Sequence, residues 1–177
     1  VPAPDVVRLL NEQIGHEYAA HQQYVACAVY YDAETLPRLA GFFYRQALEE
    51  RGHAMMIVQY LLDTDADVVV PGVQQPRSDF PDIIGPIALA LDQEKRVSEQ
   101  FNTLAGAARS AGDYTSEQFL QWFIKEQIEE VATMGDLLRV AQRSGDDLAA
   151  LEDYIAREHS AGEAVDPTAP RAAGDPA

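Results

Sequence analysis

One cysteine in 177 residues, Cys27, leaves no partner for an internal disulfide and no thiolate set for a zinc site within one chain. Basic residues are also scarce: 13 Lys and Arg stand against 29 Asp and Glu, a formal charge of −16. That balance disfavours binding nucleic acid through its phosphates and suits a partner that is a cation. No apolar run approaches the roughly 18 residues needed to cross a bilayer. The opening Val1-Pro-Ala-Pro does not read as a signal peptide. The expectation is a cytoplasmic chain with neither nucleic acid nor membrane among its partners. Helix breakers are missing as well: from 5 to 36 there is no proline, and Gly15 is the sole glycine. With 47% hydrophobic and 24% charged residues, the chain suits one folded domain that buries about two-thirds of its unfolded surface.

What is present is long helical periodicity. Leu10, Ile14, Tyr18, Val25 and Val29 recur near the 3.6-residue period behind a capping Asp5, predicting a helix over about 5–32. Pro37 suits the first turn of a second helix, to about 63, carrying Phe42, Phe43, Leu48, Met55, Met56, Tyr60 and Leu61. Residues 65–81 break the pattern with Val68-Val-Val-Pro-Gly, Pro76 and Pro81, a connection long enough to have a purpose. A third helix is expected over about 81–110 and a fourth from Thr115 to about 144, stopped by Gly145. Asp146 or Asp147 caps a short fifth helix to about 159. The 160–177 tail is rich in Ala, Gly and Pro; it is expected to be pinned, by a neighbouring subunit for instance. Domain bounds are therefore 5–159 for the helical unit and 160–177 for the tail. Two short loops around one long crossover predict an all-α, up-down-down-up four-helix bundle with a short fifth helix.

Glu50-Arg-Gly-His53 puts a carboxylate and an imidazole on one helix face. On its own this step is a weak sign of a metal site. Its surroundings strengthen it. Glu17 precedes Glu50 by 33 residues, and Glu94 precedes Gln127 by the same 33; Gln127 opens a second i, i+3 step ending at Glu130. A shift of 77 carries Glu17, Glu50 and His53 onto Glu94, Gln127 and Glu130. Two hairpins thus offer matching oxygen and nitrogen ligands at matching depths. Ionisable groups inside a bundle cost several kcal/mol each unless paired, and divalent cations would cancel that charge. A carboxylate-rich set with one imidazole suits iron or manganese.

These residues carry a resemblance. Glu17 with Tyr24, Glu49-Glu50-Arg-Gly-His53-Ala, Leu91-Asp-Gln-Glu94 and Gln121-Trp-Phe-Ile-Lys-Glu-Gln127-Ile-Glu-Glu130 are similar to a prokaryotic non-haem ferritin of the actinobacterial type. The likeness spans about 8–158. It departs from the general di-iron pattern in its second step, where Gln127-x-x-Glu130 replaces Glu-x-x-His. Bacterioferritins bind haem through a Met directly after the second-helix Glu; Arg51 stands there, so no haem is expected. A rubrerythrin-like peroxidase would need four cysteines.

The resemblance implies a ferroxidase centre and iron storage in a hollow 24-subunit homo-oligomer, with Fe(II) and O2 as substrates. Glu17, Glu50 and His53 would hold one iron, and Glu94, Glu130 and a bridging Glu50 the other. Gln127 would stand by as neutral ligand or hydrogen-bond partner. Glu49, Glu126 and Glu129 would form a third iron site, sharing Glu130. Tyr24 hydrogen-bonds a ligand, supplies an electron, or is a core tyrosine with its hydroxyl satisfied, and His21 is an accessory ligand or a surface residue. Glu117 and Gln121 are candidates for three-fold channels, and Val68-Val-Val for pairing at a two-fold. The alternative is a storage shell or bundle without ferroxidase activity.

Overall fold

Pro4 and Pro37 sit in the first turns of their helices, where a missing N–H costs nothing. The structure, a computed structural model, describes residues 1–160 and 164–176. Among them are five helices: α1 (Pro4–Ala33), α2 (Pro37–Asp63), α3 (Gly85–Ser110), α4 (Tyr114–Ser144) and α5 (Leu148–Glu158). No helix is long and apolar enough to cross a membrane.

Three-residue turns make α1/α2 and α3/α4 antiparallel hairpins. The crossover sets their relative direction. Asn11 bonds both Asp67 O and Val69 N, Gln23 bonds Arg77 at both backbone groups, and the Tyr31 hydroxyl donates to Ile83 O. The chain therefore climbs the length of α1 before α3 begins, so α3 runs parallel to α2. The result is the expected up-down-down-up order. Gly15 permits this climb, because a Cβ there would come within 3.2 Å of the Pro71 ring.

The third helix starts four residues later than the sequence suggested. Asp82 Oδ1 accepts from the backbone N–H of Ile84 and Gly85, an Asx-type turn that holds 81–84 out of the helix, which begins at Gly85. Asp113 caps α4 by accepting from Ser116 N, and its other oxygen accepts from Ala3 N. Asp147 caps α5 through Ala150 N. Gly145 ends α4 with φ +54°, a left-handed conformation that costs glycine little.

The apolar interior comes in two blocks. One gathers Tyr24, Tyr31, Phe43, Ile87, Met134, Leu137, Leu151 and Ile155 near α5. The other gathers Leu10, Ile14, Ile57, Leu61, Phe101, Leu120 and Phe123 at the far end. Most of the buried polar residues, Glu17, Glu50, His53, Glu94, Gln127 and Glu130 among them, lie along the helices between them. Val29 and Leu48, periodic in sequence, are 53% and 66% exposed on the single chain. Val69 and Val70 of the crossover are exposed too and form no strand.

The tail docks on its own chain. Ala173 N donates to Met55 O, the Trp122 indole donates to Asp166, and Arg171 approaches Asp63 at 4.0 Å. These contacts pin the tail within its own chain. Residues 161–163 and 177 of the expected tail lie outside the described residues.

Candidate metal centre

Glu17, Glu50, His53, Glu94, Gln127 and Glu130 come together between the two apolar blocks, none more than 5% exposed. One helix turn separates Glu50 from His53, and the Nδ1 of His53 lies 3.3 Å from Glu50 Oε2 and 3.6 Å from Glu17 Oε2. Two groups that could each hold a metal ion emerge: Glu17, Glu50 and His53, and Glu50, Glu94 and Glu130. Within each, one atom per residue lies within 4.8 Å of the others. Glu50 belongs to both and so can bridge. Glu17 Oε2 and Glu50 Oε1 are buried without a hydrogen-bond partner. Orphaned carboxylate oxygens of this kind are costly in an apolar interior and are satisfied by a cation.

The second half of the site is held by neutral donors. The Tyr24 hydroxyl donates to Glu94 Oε1, and Gln127 Nε2 donates to Glu94 Oε2 at 3.0 Å and to Glu94 O at 3.3 Å. Gln127 thus acts as a hydrogen-bond partner of Glu94, one of the two roles open to it. This hydrogen bond fits Tyr24 both as a holder of Glu94 and as a core tyrosine with a satisfied hydroxyl; the Tyr24 bond is the one meant.

The charges are mutually strained. Burial pushes the Glu50 and Glu130 carboxyls well above the usual range, and neighbouring carboxylates add to the rise. Burial lifts Glu94 to about 7 despite the Tyr24 hydrogen bond, which pulls down. For His53 burial acts downward, but Glu17 and Glu50 outweigh it and hold the imidazolium well above its ordinary value. Glu17 alone of the four carboxyls is lowered: burial is outweighed by His53, Glu50 and Gln13. Without a cation the cluster retains protons, and two divalent ions would displace them.

Residues 7–144 match the family of the ferritin-like domain. The chain is 55% identical over 166 residues to ferritin BfrB of Mycolicibacterium smegmatis, covering 94% of this chain and 91% of that protein. It is 38% identical over 150 residues to the bacterial non-heme ferritin of Staphylococcus aureus, covering 85% and 90%. The chain belongs to the ferritin family. Its backbone superposes on the open-pore ferritin of the hyperthermophilic archaeon Archaeoglobus fulgidus with a TM-score of 0.84 at 26% identity, covering 88% of this chain and 96% of that one.

On the α2/α4 side of this ferritin, Glu49, Glu126, Glu129 and Glu130 line one cavity of about 210 Å³ with Arg45 and His159. The three-residue ligand group found there differs from the expected set: Glu49 and Glu126 come within reach of His53, while Glu129 is exposed at the cavity edge. Ala164, Val165, Asp166 and Ala169 of the tail wall a neighbouring cavity that also takes in Glu49, His53, Trp122 and Glu126. Trp122, which the sequence favours as core packing over a redox relay, is only partly buried and stands beside the site. Its ring meets His53 edge-on at 5.6 Å while its N–H holds the tail. Its place directly before Phe123 and five residues before Gln127 was the available signal.

His21 lies outside both central groups. It is half-buried, with Nδ1 2.6 Å from Ala47 O, so the ring donates to α2's backbone. Glu117 and Gln121 share a surface depression with Arg109, which donates to Glu117 from Nε at 2.9 Å. That guanidinium offsets the charge by which Glu117 would attract Fe(II). Met55 accepts a hydrogen bond from the Tyr18 hydroxyl at 3.0 Å and is only partly buried.

Proposed function

We propose that this ferritin oxidises Fe(II) with dioxygen at a paired site within each subunit and stores the ferric product in a hollow shell of 24 copies. The observation that carries this reading is Glu50, a buried carboxylate common to two ligand groups, with orphaned oxygens beside it. One Fe(II) binds Glu17, Glu50 and His53; the other binds Glu50, Glu94 and Glu130. Each ion gives up one electron, and dioxygen takes both together with two protons, leaving as hydrogen peroxide. The protein supplies spacing, counter-charge and a dry interior. Gln127 and Tyr24 orient Glu94 by hydrogen bonds, so both oxygens of that carboxylate have a fixed direction.

Glu49, Glu126 and Glu129 then receive ferric ions on the α2/α4 side, where the acidic cavity adjoins the paired site through Glu130. The family membership supports storage, and the names of the mycobacterial and staphylococcal relatives, both ferritins, agree with it. Exposed apolar residues such as Val29, Leu48, Val69, Val70 and Ile128 support burial against other copies. The charge of −16 per chain draws Fe(II) to the assembled shell, in the cytoplasm.

The test is a Glu50→Ala/His53→Ala variant. It assembles like the parent but loses the fast phase of Fe(II) oxidation. Retention of that phase would reject the paired site.

A further inference from the structure

Gln13 is no candidate ligand, yet it is 1% exposed. A buried amide is costly unless it is bonded, so its partners are informative. It lies one turn before Glu17 on α1, and its Nε2 sits 2.6 Å from Glu17 Oε1. The same nitrogen is 3.3 Å from Gln100 Oε1 on α3. The two oxygens of Glu17 are thereby made different. Oε1 is tied to the amide, whereas Oε2 has no hydrogen-bond partner and faces His53 Nδ1 at 3.6 Å.

The far side of Gln13 adds a second observation. A cleft of about 380 Å³ opens between α1 and α3, lined among others by Glu12, His16, Glu99 and Gln100, and Gln13 is part of its wall. Glu17 does not line that cleft. One amide side chain separates it from a ligand carboxylate.

We propose that Gln13 is a positioning residue for the paired site: it holds Glu17 with a single oxygen aimed at the cation shared with Glu50 and His53, and it closes the site against the α1/α3 cleft. This rests on the paired-site reading. Partners that orient a metal ligand are typically worth 10- to 100-fold in metal affinity. Losing the amide frees Glu17 Oε1 to turn, so the carboxylate no longer meets the cation in one orientation.

The test uses iron-free assembled protein, titrated anaerobically with Co(II) and followed by its d–d absorption. The parent takes two Co(II) per subunit. In Gln13→Leu one of the two steps weakens at least tenfold and its bands shift, while the other step is unchanged. In stopped-flow oxidation the same variant raises the KM for Fe(II) more than it lowers kcat. Two parent-like steps with unshifted bands in Gln13→Leu would overturn the positioning role alone. A parent that takes no Co(II) would overturn the paired site, and this proposal with it. Gln13→Met, of similar length and equally without a donor, replaces Gln13→Leu should the latter not assemble. Failure of both to assemble would make Gln13 a residue of the fold and overturn the proposal.

Discussion

Raising the pH of the iron-free protein from 5 to 7 should destabilise it, and Glu94 sets a scale. Its carboxyl moves from an ordinary 4.5 to about 7 on folding. A carboxyl raised in this way binds more protons in the folded than in the unfolded chain. Its folded-state penalty is therefore absent below pH 4.5, grows as pH rises, and levels off above about 7. Over pH 5 to 7 Glu94 alone costs about 2 kcal/mol. For a chain of this length that corresponds to a fall of about 6 °C in Tm. Glu50 and Glu130 are raised as well and act in the same direction. Glu17 is lowered, so its contribution is lost only below pH 4.5, outside the window. The assay is calorimetry at fixed protein concentration on the parent and on Glu94→Gln. The parent should lose about 6 °C more of its Tm across the window than the variant does, and Co(II) should abolish the difference. Parallel pH profiles for parent and variant would refute the reasoning.

Tyr24→Phe removes a donor that holds Glu94 down, so the midpoint of anaerobic Co(II) binding against pH should move upward. An unmoved midpoint would show that the hydroxyl does not act on that ligand. Phe123 packs against Phe101, Phe119, Trp122 and His53, and Phe123→Ala should cost about 3–5 kcal/mol in denaturant unfolding. Asp166→Ala releases the Trp122 indole N–H and loosens the tail. Tryptophan emission should shift to the red and limited proteolysis should remove the tail faster, with Tm nearly unchanged.

The bundle was legible because its signals are local and repeated. Pro37, the Asp146-Asp147 pair and the Gly145 stop mark α2, α5 and the end of α4, whereas Asp5, expected to cap α1, lies inside its first turn behind Ala3, whose side chain makes no cap. The buried cluster of candidate ligands was legible because an equal spacing of 33 residues in two antiparallel hairpins brings side chains to one depth. The start of α3 was not, because Asp82 spends its side chain on an Asx-type turn where a helix was expected. Val29 and Leu48 fit the helical period but face outward, and periodicity does not distinguish a face buried in the chain from one buried between chains. The tail has no periodicity at all. Its anchors are single polar contacts by Asp166 and Arg171 and one backbone hydrogen bond from Ala173. Gln13 carries no sequence signal, because an amide one turn before Glu17 is an ordinary helix residue, whereas the imidazole of His21 and the phenol of Tyr24 on the following turns are chemistry-bearing groups.

The central claim is two cooperating Fe(II) sites that share Glu50. The most direct measurement is stopped-flow absorbance after mixing iron-free protein with Fe(II) in air, at rising iron per subunit. A fast phase saturating at two irons per subunit is predicted, or at three where Glu49, Glu126 and Glu129 also fill in the same phase. Oxidation at the slow rate of the buffer alone, at every loading, would contradict the paired centre and leave a shell that stores iron without oxidising it.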